Sequence, residues 1–258
     1  MLYKNKSMID LALHALEHAA EIAVARNNLR GLACHLNNIG GCYNDCWDFE
    51  KSEKNLNNAL ALIDELIANH DDVGVKNESR LVKSNIFTNM AIRLRRLGEQ
   101  TQDPELRQER VAILKKAIEI AELLHADVEL SRHYGNLSSA YREIGDLRQS
   151  SRYLDKAYNL SVKNGDLQAQ IVGLINKAQL NVAEDELKTA RSCLEEGVSI
   201  EAGKYPKLGA SLYANLSLVC RDLGDLKSAS EFFRIGYDLY VSIGDSGSAQ
   251  TLRYKFFH

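Results

Sequence analysis

Apolar and small residues recur along this chain every three or four positions, in blocks separated by short polar breaks. Over residues 128–144 the series Leu130, Tyr134, Leu137, Ala140, Tyr141 and Ile144 keeps one face apolar, which is the period of a helix. Gly145-Asp146 then interrupts it. Glycine tolerates the left-handed conformation of a helix end, and aspartate caps the helix that follows. The next block carries Leu147, Tyr153, Leu154, Ala157, Tyr158, Leu160 and Ser161, until Asn164-Gly165-Asp166 stops it in the same way. The predicted unit is a pair of helices joined by a tight turn.

That unit repeats. Asparagines at 38, 89, 136, 176 and 215 mark five copies, with spacings of 51, 47, 40 and 39. A period near 40 marks a solenoid, in which each unit packs on its neighbours and a long surface is presented to other polypeptides. We read residues 1–258 as one solenoid. A capping helix spans 8–27, helix pairs span 29–70, 78–125, 127–165, 167–203 and 205–244, and a second capping helix spans 246–257. The tail Tyr254-Lys255-Phe256-Phe257 is expected to pack on the last pair. Small residues at Ala140, Ala157 and Gly236 fall where helices should cross closely. In the fourth copy Asp185-Glu186 stands in place of Gly-Asp, so a less sharp turn is expected there. Trp47 takes the glycine place in the first copy and is expected to cover a neighbouring helix end. Glu99–Glu105 is read as a loop, with a helix starting near Pro104.

Composition narrows the picture. Only two prolines occur, as a nearly all-helical chain requires. A formal charge of -3 argues against a nucleic-acid partner, because phosphate contacts need a basic excess. No apolar run reaches the roughly 18 residues of a membrane span. The N-terminus lacks the apolar block of a secretory signal. Five cysteines, an odd number, read as free thiols, and a cytoplasmic location is expected.

The repeat residues resemble tetratricopeptide repeats. That family has an Asn-Leu-Gly core in its first helix, an aromatic four residues after the leucine, a Gly-Asp turn and a small residue late in the second helix. Asn136, Leu137, Tyr141, Gly145, Asp146 and Ala157 match this pattern, as do Asn38, Ile39, Gly40, Tyr43, Asp48 and Ala59. The period near 40 resembles the longer-repeat group found in spindle-orientation scaffolds, bacterial regulators and peptide-pheromone receptors. The resemblance covers residues 8–257. It implies an all-α fold, a right-handed superhelix of antiparallel helix pairs (an α-solenoid), with the first helices lining the concave face.

Residues three, four and seven apart share a helix face. On this count the groove holds Asn37, Asn38, Gly41, Asn44 and Asp45 from the first copy. The second copy gives Asn85, Thr88, Asn89, Ile92, Arg95 and Arg96, and the third gives Arg132, Asn136, Ser139, Arg142 and Glu143. The fourth gives Val172, Ile175, Asn176, Gln179 and Val182, and the fifth gives Ser211, Asn215, Leu218, Arg221 and Asp222. Amides both donate to and accept from an extended peptide backbone, and arginines recognise carboxylates in a two-point manner. The candidate partner-binding residues are therefore Asn37, Asn38, Asn44, Asn85, Asn89, Arg95, Arg96, Arg132, Asn136, Arg142, Gln179 and Arg221. The competing structural account is that the repeated asparagines bond neighbouring helices. One subgroup of the family clamps a chaperone's C-terminal carboxylate with lysine and asparagine on the first helix. Here Asn37 and Gly41 stand at those positions without the lysine.

Two further patterns carry chemistry. His14-Ala15-Leu16-Glu17-His18 matches the His-x-x-Glu-His pattern of one zinc-peptidase class, with no identifiable third ligand; the bland account puts both histidines on an exposed helix face. Cys34, His35, Cys42 and Cys46 lack the Cys-x-x-Cys loop usual for zinc. The expected function is non-enzymatic: a module, without cofactor or metal, that binds a peptide or partner protein, the arginines favouring one of acidic character, in its concave groove. Homo-oligomers are compatible with this but not required. The alternatives are a peptide- or ligand-sensing regulatory module acting with a separate output protein and, more distantly, a zinc-dependent hydrolase.

Overall fold

The structure is a computed structural model that describes residues 2–258, with side chains from residue 8 onward. Among the described residues there are twelve helices and no strand. They are α1 (Leu2–Ala25), α2 (Leu29–Asp45), α3 (Phe49–Asn69), α4 (Val73–Thr101), α5 (Pro104–Leu123), α6 (Asp127–Glu143), α7 (Leu147–Lys163), α8 (Leu167–Ala183), α9 (Leu187–Glu201), α10 (Pro206–Asp222), α11 (Leu226–Ser242) and α12 (Ser246–Phe257). The chain is all-α and built as a helical repeat. The equivalent helices α6, α8 and α10 start at 127, 167 and 206, which is the period in the sequence. The chain divides in the α6–α7 turn into two compact units, Met1–Ile144 and Gly145–His258.

Turn chemistry explains the helix boundaries. Asp48, Asp72, Asp103, Asp146, Asp166, Asp225 and Asp245 each accept a hydrogen bond from a backbone N–H in the first turn of the next helix. Each such cap contributes about 1 kcal/mol. Before them, Gly145, Gly165, Gly224 and Gly244 hold φ between +65° and +83°, the left-handed region that costs glycine least. Asp185 adopts φ +62° and α9 still begins after three residues. The turn is therefore as sharp as its glycine counterparts, contrary to the sequence expectation. What it lacks is the cap, since Glu186 makes no side-chain capping bond. Trp47 also occupies the left-handed region, at φ +61°. Its ring meets Phe49, the first residue of α3, edge-on at 5.8 Å, while half of its surface stays open. The expected loop at 99–105 is shorter than the polar composition implies: α4 continues to Thr101 and α5 starts at Pro104.

In unit 1, Ala33, Leu56, Ala59, Ile63 and Ile86 form a core between α2, α3 and α4. In unit 2, Ile171, Leu194, Leu212 and Leu216 centre a core spanning α8, α9 and α10. Burying one leucine or isoleucine contributes roughly 2 kcal/mol. Gly236 is where α11 crosses α10: a Cβ there would lie 2.9 Å from the backbone nitrogen of Ala214. At the C-terminus Phe233 receives Phe256 at 4.5 Å and Phe257 at 5.4 Å between ring centres, so the aromatic tail packs on the last pair.

Candidate functional site

The candidate residues fall into two sets, one in each unit. In unit 1 most of them bond to one another. Asn44 is buried; its Nδ2 donates to the Asn89 carbonyl at 3.1 Å and its Oδ1 accepts from the Ser52 hydroxyl at 2.7 Å. Asn89 Nδ2 donates to Asn37 Oδ1 at 2.9 Å. Asn37, Asn89, Asn44 and Ser52 thus form a ladder that ties α2 to α3 and α4. Arg96 donates to the Asn44 carbonyl and pairs with Asp45 at 2.6 Å. Arg132 donates to Asn85 Oδ1 at 2.8 Å, joining α6 to α4. Next to it, His133 sits buried between Thr88 (2.9 Å) and Ser84 (3.3 Å). Burial, helped by the charge on Arg132, lowers its pKa to about 4, so the ring is neutral at physiological pH. Asn38, one residue from buried Asn37, is exposed, and Asn136 is half-buried. Arg142 is also half-buried; burial depresses its pKa and Glu143 opposes the shift. Arg95 lines a cavity with Glu99, Arg107, Arg110 and Glu143.

Unit 2 is arranged differently. Gln179 of α8 and Asn215, Leu218 and Arg221 of α10, all groove positions on the sequence count, converge on one hollow of about 290 Å³. Apolar groups of Ala178, Val182, Leu194, Leu218 and Val219 line it, and Asp222 and Lys255 complete its polar rim. Asn215 donates to the Ser211 carbonyl of its own helix at 2.8 Å, so the repeated asparagine has no single role: Asn89 bonds across helices and Asn215 bonds within one. Arg221 is held at the end of α12. It donates to the carbonyls of Lys255 and Phe256 and pairs with Asp222 at 2.8 Å, a favourable place for a cation because a helix C-terminus carries partial negative charge.

Sequence reasoning missed Arg107, Arg110 and Lys255. The first two lie on a second helix, outside the faces counted for the groove, although their three-residue spacing already puts them on one side of α5. His14 and His18 are exposed on α1. Among the described residues, no group of three or more His, Cys, Asp or Glu side chains could hold a metal ion. The five cysteines are free, and burial raises the pKa of Cys34, Cys42, Cys193 and Cys220. No helix among the described residues is long and apolar enough to cross a membrane.

The tetratricopeptide repeat family model matches residues 132–164 and 210–240. A search of curated proteins finds no significant sequence match. Among solved structures, the chain is similar to BtubC (BKLC) from P. vanneervenii, with TM-score 0.69 and 15% identity over 93% of this chain and 92% of that one. It is similar to aspartyl phosphate phosphatase F from Bacillus subtilis, with TM-score 0.66 and 13% identity over 91% of this chain and 58% of that one. It is also similar to a Rap protein complexed with competence and sporulation factor, with TM-score 0.63 and 12% identity over 100% of this chain and 71% of that one. At these identities the likeness speaks for the fold alone.

Proposed function

The chain is a helical repeat protein of the tetratricopeptide type, and we propose that it is a non-catalytic module that binds a peptide or partner protein on the first-helix surface of unit 2. The observation that carries this reading is the convergence of Gln179, Asn215 and Leu218 on one hollow. Its volume, about 290 Å³, is at the lower end of the range for small-molecule pockets. It therefore suits one apolar side chain of a longer ligand better than a whole compact ligand. Leu218 and Val182 receive that side chain. The amides of Gln179 and Asn215 bond the main chain beside it, since an amide both donates and accepts.

Capture from a lysate of the source cell tests this, with the parent protein compared to Leu218→Glu and the folding of both checked by circular dichroism. The expected result is a partner held by the parent and lost by the folded variant. An unchanged partner list removes the unit 2 hollow from the reading, and an empty list for the parent overturns the module itself. A second reading, a sensor that signals through a separate protein, is supported by the likeness to the Rap protein complexed with competence and sporulation factor. It requires a change in amide hydrogen exchange at helices away from the hollow when peptide is added, whereas a passive docking module changes exchange around the hollow itself.

A further inference from the structure

A cavity of about 280 Å³ in unit 1 holds charged groups whose bonding is incomplete. It lies between the last turns of α4, the first turns of α5 and Glu143 at the end of α6. Three arginines (Arg95, Arg107 and Arg110) and two carboxylates (Glu99 and Glu143) line it. Arg110 is only 4% exposed. One of its Nη groups donates to Glu143, yet its Nε–H is shut away from solvent and meets no acceptor. The Nε–H of Arg95 is in the same state; Glu99 Oε1 lies 3.7 Å away, beyond hydrogen-bond range. Among the described residues, no hydrogen bond or ion pair involves the Arg107 side chain.

Desolvated donors of this kind are costly when unmet, and two of them on arginines that line one cavity point to an acceptor that these side chains turn to meet. We propose that the cavity is an oxyanion site that takes the carboxylate of an acidic side chain on a bound peptide. A guanidinium presents parallel N–H donors that match the two oxygens of a carboxylate. Three cations against two anions leave an excess of one positive charge, which a monoanion neutralises. A phosphate dianion would add repulsion from Glu99 and Glu143. The site belongs to unit 1 and shares no residue with the unit 2 hollow. It rests on the binding reading only for the source of the carboxylate.

The test is to follow the arginine Nε–H resonances of the full chain by nitrogen-15 NMR. The probes are sodium acetate, inorganic phosphate and a blocked tri-glutamate peptide, with ionic strength held constant by sodium chloride. The expected result is saturable movement of the Arg95 and Arg110 signals, with the peptide saturating at lower concentration than acetate. Arg107→Gln, which removes no bond among the described residues, should raise half-saturation about tenfold, the equivalent of one charge-assisted bond. Arg234→Gln on the exposed side of unit 2 should leave it unchanged. Movement that sodium chloride reproduces, or that never saturates, overturns the site. Tighter binding of phosphate than of acetate overturns the carboxylate assignment, and saturation by acetate without any by the peptide overturns the peptide source. Each outcome is independent of whether Leu218→Glu loses its partner.

Discussion

The two units apply one repeat pattern to different ends. In unit 1 the first-helix asparagines and arginines bond one another: Asn37 with Asn89, Asn89 with Asn44, Arg96 with Asn44 and Asp45, and Arg132 with Asn85. In unit 2 the first-helix face instead gathers Gln179, Asn215 and Leu218 around an open hollow, and of these only Asn215 stands at a repeat-asparagine position, that of Asn89, which bonds across helices in unit 1. A polar residue on a predicted binding face is therefore ambiguous until its partner is known. Where the facing helix offers a buried polar group, the amide is committed to the fold. Where it bonds within its own helix, as Asn215 does with Ser211, it ties no helix to another.

The contrast breaks most strongly with pH. His133 lies in unit 1 with a folded pKa of about 4, against about 6.5 for an unfolded histidine. Between these values the unfolded chain binds a proton that the folded one refuses. This part of the stability is complete above pH 6.5 and declines as pH falls toward 4, by about 3 kcal/mol in all. Unit 2 has only His258, which is exposed. Trp47 is the sole tryptophan and sits in unit 1, so its fluorescence in urea titrations isolates that unit. His133→Gln should flatten the loss seen by Trp47; an unchanged slope would show that burial of this ring is not its cause.

Asn44→Ala follows at about 2–3 kcal/mol, because it orphans the buried Ser52 hydroxyl and removes the donor to the Asn89 carbonyl. Asn215→Ala, which loses one bond within its own half-buried helix, should stay within about 1 kcal/mol. Equal losses in the two variants, again by urea titration, would erase the distinction between a ladder that joins helices in one unit and a bond within one helix in the other.

Much of this architecture can be read from the sequence, for local reasons. Gly145, Asp146 and the alternation of apolar positions act within a few residues, so the turn, the cap and the helix pair appear directly. The close approach at Gly236 is legible for the same reason, as a small residue at a fixed place in the repeat. The roles of the polar face are not. That Asn37 points inward while Asn38 points outward depends on what α4 presents across the gap, 52 residues away in the case of Asn89. Arg107 and Arg110 escape a count confined to first helices because their cavity forms only when the α4–α5 turn brings two helix ends together. The sharp turn at Asp185 is misjudged for another reason: aspartate tolerates positive φ better than most residues, so the missing glycine leaves the geometry intact.

Glycines give the next smaller effect. Gly236→Ala puts a methyl group 2.9 Å from a backbone nitrogen of α10 and should cost about 2 kcal/mol through overpacking. Gly41→Ala in unit 1 meets nothing closer than the Asn89 amide at 3.7 Å. It should therefore stabilise α2 by up to about 1 kcal/mol through helix propensity, and opposite signs in thermal melts are the expected result.

The smallest effect sits at the turns. Asp185→Gly relieves a side chain held at φ +62° and should stabilise unit 2 by about 0.5 kcal/mol, the gain being limited because glycine also loosens the unfolded chain. Trp47→Gly makes the same change in unit 1 but removes the edge-on contact with Phe49, which contributes about 0.5–1.5 kcal/mol. Its net effect should be a small loss. Far-UV circular dichroism melts check both, since Trp47→Gly removes the fluorescent probe. A gain from Trp47→Gly as large as that from Asp185→Gly would mean that the ring contributes nothing to the start of α3, and that Trp47 belongs to the surface rather than to the turn.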